Sequence, residues 1–92
     1  MAEGVLALEF RLPEVARLKL EESLKLAEPL RHSTALMGVA IDRIHTYLSL
    51  ACAAVGDLPA AERHFRLSEP RLRAFHTNDL LERCQTALGH RA

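Results

Sequence analysis

An all-α fold follows from three features of the 92-residue chain. Helix-forming residues dominate, apolar residues recur at steps of three and four, and the four Pro with Gly56 fall where such stripes begin, break or end. Pro13, Pro29, Pro59, Pro70 and Gly56 cut the chain into segments of helical length. About four helices, packed as antiparallel helix-turn-helix pairs in one domain spanning residues 1–92, are therefore predicted.

The first eleven residues are the least regular. Leu6, Leu8, Phe10 and Leu12 alternate as strand residues do, yet a lone strand has nothing to pair with. The segment reads as a helix remnant or an extended arm, with room for a strand that pairs with a second copy of the chain. From Pro13, which suits a first helical turn, Ala16, Leu20, Leu24, Ala27 and Leu30 form an amphipathic stripe ending near Pro29.

Ser33 or Thr34 is placed to cap the next helix by accepting a bond from a free backbone N–H. Its stripe runs through Met37, Ile41, Ile44, Leu48, Ala51 and Val55, widened by Leu36, Ala40 and Cys52, and Gly56 offers the left-handed position that ends many helices. Asp57 can cap a third helix carrying Pro59 in its first turn and Ala61, Phe65, Ser68, Leu72 and Phe75 on its apolar side. Pro70 is expected to kink or end that helix, because its ring clashes with the preceding turn and one hydrogen bond is lost. After a polar turn at His76-Thr77-Asn78, a short last helix places Leu80, Leu81, Cys84 and Leu88 on one side and stops at Gly89.

Composition narrows function. Twelve Lys plus Arg balance twelve Asp plus Glu, so no strong field gathers phosphate backbones or anionic lipid, and neither a nucleic-acid nor a membrane partner is expected. The same balance weakens repulsion between identical molecules and favours self-association. Arg63-His64-Phe65-Arg66 with Arg71 and Arg73 concentrates positive charge, but Glu62 and Glu69 interleave it as on a solvated helix face. Residues 1–9 lack the basic head and long apolar run of a signal peptide, which makes a cytoplasmic location the expectation.

Chemistry-bearing residues form no catalytic frame. His32, His45, His64, His76 and His90 never stand at the i, i+4 spacing that sets two metal ligands on one helix face. Cys52 and Cys84 lie in apolar helical stretches, where a free thiol acts as a small hydrophobe and burial makes it inert. Gly-rich phosphate loops and dinucleotide fingerprints do not occur, so neither an enzyme nor a cofactor is expected. The alternative is a small helical bundle that binds a metal or small ligand through His45, Cys52 and their neighbours.

Leu24-Lys25-Leu26-Ala27-Glu28-Pro29 returns as Phe65-Arg66-Leu67-Ser68-Glu69-Pro70 about forty residues later, a spacing typical of helical-pair repeats. His45-Thr46-Tyr47-Leu48-Ser49-Leu50-Ala51-Cys52-Ala53-Ala54-Val55-Gly56-Asp57, followed by Ala61 and Phe65, resembles the tetratricopeptide repeat. Leu48, Ala61 and Phe65 match its pattern outright, Ser49 is a small residue where Gly is usual, and Gly56-Asp57 is the usual inter-helix turn. His45 replaces the usual Trp, Cys52 replaces the usual Tyr, and the closing proline arrives early at Pro70. The likeness is to the longer, divergent repeats of bacterial regulatory and scaffolding proteins.

That resemblance implies a protein-interaction or oligomerisation module. First helices of such pairs line a groove for a peptide or partner helix, and the matching positions are Arg43, Thr46, Tyr47, Leu50 and Ala53. Thr46 and Tyr47 stand where relatives that clamp a C-terminal carboxylate carry Lys and Asn, so an apolar or mixed ligand fits better; otherwise Tyr47 and Leu50 pack on a neighbouring helix. Repeat arrays need several units and capped ends. With fewer here, the chain is expected to form a homodimer or to derive from a longer stack.

Overall fold

In the computed structural model, residues 2–9, 11–74 and 78–89 are described, and they are helical with short connections. Five α-helices follow one another: α1 (Ala2–Glu9), α2 (Pro13–Ala27), α3 (Ala35–Ala54), α4 (Leu58–Ala74) and α5 (Asn78–Ala87), with a 3-10 turn at Glu28–Leu30. No strand occurs among the described residues. The all-α class holds, with one helix more than the periodicity counted.

The extra helix is α1, which agrees with the helix-remnant reading of the N-terminal segment and replaces both the extended arm and the strand. Gly4 and Ala7 are buried, and α1 packs on α2. A Cβ on Gly4 would lie 2.6 Å from Leu20 Cγ and 3.3 Å from the Ala16 carbonyl oxygen, so the two helices approach as closely as a missing side chain permits. Helical hydrogen bonds also satisfy backbone groups that a lone strand would leave open. Phe10, part of the alternating run, lies outside the described residues. The Gly4→Ala variant is expected to destabilise the domain by about 1–2 kcal/mol despite alanine's better helix propensity, because Leu20 is fully buried and cannot yield. Thermal unfolding followed by circular dichroism measures this.

α2 begins with Pro13 in its first turn and buries Ala16, Leu20 and Ala27. The stripe stops there: Leu30, expected on it, is 50 % exposed because the 3-10 turn changes the angular step at Glu28. Thr34 is the residue that caps α3, accepting a bond of 3.2 Å from the Met37 N–H. Ser33 instead donates to the Leu30 carbonyl. Ile41, Ile44, Leu48 and Ala51 are buried as the stripe predicts. Leu36 does not widen it; one residue before Met37 turns the side chain by about 100°, and Leu36 is 78 % exposed.

α3 ends in paired reverse bonds, Gly56 N–H to the Ala53 carbonyl and Asp57 N–H to the Cys52 carbonyl. Gly56 sits there at φ +88°, where a Cβ would be strained. Asp57 then caps α4, its Oδ1 accepting from the Ala60 N–H at 3.3 Å while Oδ2 takes Arg17 Nη2 of α2 at 2.9 Å. One side chain thus ties the α3–α4 turn to α2. α4 does not end at Pro70 but continues to Ala74. Two anchors beyond the proline hold that last stretch: Leu72 is buried beside Phe65 and Cys84, and Arg71 pairs with Asp42 of α3. Pro70 and Arg66, whose carbonyl loses its usual partner, are both exposed, so water can take the missing bond.

Phe75, His76 and Thr77 lie outside the described residues, and Asn78, expected in a turn, is the first residue of α5. α5 buries Cys84, half-buries Leu80 and Leu81, and packs on α3 and α4, with Leu88 half-buried just past its end. The central helix is therefore α3, running antiparallel to α2 on one side and to α4 on the other. One core lies between α1, α2 and α3 around Leu20, Ile41, Ile44 and Leu48. A second, around Phe65, Leu72 and Cys84, lies under α5.

Candidate functional site

Close approach of α3 and α4 starts at two small residues. Ser49 is buried opposite Ala61, and its hydroxyl donates to the Ala61 carbonyl at 2.9 Å. Leu48 points from α3 into the core shared with α2, whereas Phe65 of α4 belongs to the core under α5. Together with Gly56 at the turn, these are the five positions assigned to packing of one helix pair.

The five proposed groove residues do not share one open surface. Leu50 packs beside Phe65, Leu72 and Cys84, and Ala53 packs near Cys52 and Leu88, so α5 lies over that part of α3. Tyr47 leans the other way, onto the core shared with α2. Thr46 is 1 % exposed and donates to the Asp42 carbonyl, while its own carbonyl faces the Cys84 thiol at 3.8 Å. Arg43 alone is exposed. Arg43 and Thr46 line a cleft of about 240 Å³ with Val39 of α3, Ser68 and Leu72 of α4, and Leu80 of α5. Arg71 and Asp42 form an ion pair in the same cleft.

Deeper in the α3–α4 seam two histidines meet. The Nδ1 atoms of His45 and His64 are 2.8 Å apart, so one ring donates and the other accepts, and the rings stack at a centroid distance of 5.1 Å. Both are buried. Burial disfavours the imidazolium and lowers the pKa of each; His64, with His45 and Arg63 also opposing its charge, falls to about 4. Glu28 Oε1, 3.9 Å from His45 Nε2, works the other way on His45.

Sequence alone sets His45 beside Cys52 only as part of a ligand site and sets His64 only in a basic run. A usable signal existed: His64 stands three residues after Ala61 and four before Ser68, on their buried side. No group of three metal-ligating side chains occurs among the described residues. Both thiols are buried and free; burial raises Cys52 and pushes Cys84 up to about 11, so neither is a ready nucleophile near neutral pH.

Several exposed large apolar residues lie on or just before α2. Val15, Leu18 and Leu26 are 46, 58 and 78 % exposed, and Leu12, just before the helix, is 51 % exposed. At 100° per residue Leu18 falls opposite Ala16, Leu20 and Ala27, Val15 and Leu26 fall on one flank about 100–120° from them, and Leu12 borders the buried side. Neither α1 nor α3, which pack on α2, covers the side of Val15, Leu18 and Leu26. No helix among the described residues is long and apolar enough to cross a membrane.

No family model, curated protein or solved structure matches the chain.

Proposed function

We propose that the domain is a protein-interaction or oligomerisation module of tetratricopeptide-like type, with no catalysis of its own. The observation that carries this reading is the exposed Val15, Leu18 and Leu26 side of α2, on a helix whose Ala16, Leu20 and Ala27 are committed to the core. Apolar residues gathered on one outward helix face mark a surface that another protein covers. An antiparallel α2–α3–α4 arrangement also supports it, since each end of such a stack presents a helix that could take a neighbour. The working surface is then the outer side of α2, because α5 already lies over Leu50 and Ala53 of α3. A cytoplasmic location suits free thiols at Cys52 and Cys84.

The metal- or ligand-binding alternative has less support. His45 Nδ1 is engaged with His64, and a metal there would have to break that bond.

The test is capture on immobilised protein, comparing wild type with a Leu18→Glu/Leu26→Glu variant, with an untagged copy of the chain included among the candidates. Wild type is expected to retain at least one protein, its own copy or another, that the variant releases. Identical retention by both would contradict the reading.

A further inference from the structure

We propose that the outer side of α2 is covered by the same side of a second copy, the two α2 helices lying antiparallel across a two-fold axis. This rests on the interaction-module reading and names its partner. The charges on that side carry it. Along α2 they run Glu14, Lys19, Glu21, Glu22 and Lys25, on or flanking the face that bears Val15, Leu18 and Leu26, with Glu14, Glu22 and Lys25 exposed and Lys19 and Glu21 half-buried and already in contact within their own chain.

Antiparallel self-pairing centred near residue 20 brings Lys19 of each copy to Glu22 of the other, and Glu14 of each to Lys25 of the other. Val15 then meets Leu26. Parallel self-pairing would instead set every charge against its own kind. A two-fold contact is self-complementary by definition, and this sequence of signs is what self-complementarity requires. α4 is a poorer occupant: Leu58 and Leu67, nine residues apart, fall on opposite sides of the helix with Arg63 and Arg66 between them, and an α2-on-α4 contact would not close and would grow into a filament. Zero net charge leaves no general repulsion to overcome. A contact one helix long lies at the small end of specific interfaces, so dissociation is expected in the micromolar range.

Sedimentation equilibrium of the whole chain at low ionic strength tests this, with circular dichroism as the check on folding. Because Leu18 and Leu26 are more than half exposed, Leu18→Glu/Leu26→Glu should fold as wild type while weakening the dimer at least about a hundredfold. Lys19→Glu alone and Glu22→Lys alone should each weaken it about tenfold, since two reciprocal pairs turn repulsive. An equimolar mixture of those two single variants should restore it, as a heterodimer in which every pair is again opposite in sign. A wild type that stays monomeric, grows beyond two copies, survives Leu18→Glu/Leu26→Glu, or shows no rescue on mixing overturns the proposal. If the chain is monomeric yet captures another protein only through Leu18 and Leu26, the second-copy assignment fails and the interaction-module reading stands.

Discussion

The domain is expected to lose on the order of 3 kcal/mol of stability as pH falls from 6.5 to about 4, through His64 alone. In the unfolded chain a histidine takes up its proton near 6.5. In the folded chain burial against α3, with His45 and Arg63 nearby, delays uptake by His64 until about 4. Between those values the unfolded state binds more protons, so the free energy of unfolding falls with pH. The loss is absent above 6.5 and complete below about 4. His45 adds in the same direction, moderated by Glu28 and Asp42. Carboxylates extend the effect to lower pH: Arg31 holds Glu28 below the usual range, and the Ala60 N–H and Arg17 do so for Asp57. Urea unfolding at a series of pH values measures the slope. A His45→Phe/His64→Leu variant, which replaces both partners by apolar groups, should remain near wild-type stability at pH 7 and lose the slope above pH 5.

Leu48→Ala should cost about 2–5 kcal/mol. Leu48 is fully buried in the core with Leu20, Ile41 and Ile44, between helices held by their own ends, so the cavity cannot collapse. At about 4–8 °C per kcal/mol for a domain of this size, melting should fall by at least about 10 °C. The matched change Leu36→Ala, at a position 78 % exposed on the same helix, should move stability by no more than about 0.5 kcal/mol. Equal effects would mean that α3 does not present Leu48 inward.

Punctuation and period made much of this fold legible. Thr34, Gly56 and Asp57 announce the ends of α3 and α4 because caps are local chemistry, readable without knowing what lies across the seam. The helix end expected at Pro70 fails for the opposite reason: local chemistry allows a stop there, but the burial of Leu72 and the Arg71–Asp42 pair, which carry α4 on to Ala74, are contacts between residues far apart in the chain. α1 is legible only as one of several readings, because alternating leucines mimic a strand, whereas what decides for the helix is what Gly4 and Ala7 lack in bulk beside Leu20. The His45–His64 pair needed the register of α3 on α4, which the Ser49–Ala61 contact fixes.

The groove positions were the least legible part. Arg43, Thr46, Leu50 and Ala53 do lie toward one side of α3, but period alone cannot say that α5 folds back over Leu50 and Ala53. The exposed side of α2 is not legible from its periodic stripe, because the stripe marks the buried side and Leu18 and Leu26 are apolar residues outside it.

Methyl relaxation by a soluble paramagnetic agent addresses the dimer through α2 most directly. At concentrations well above micromolar, the Leu18 and Leu26 methyls should be shielded while Leu67 and Leu36, about as exposed in the single chain, relax fully. Equal relaxation of all four would leave α2 bare and contradict a partner on that face.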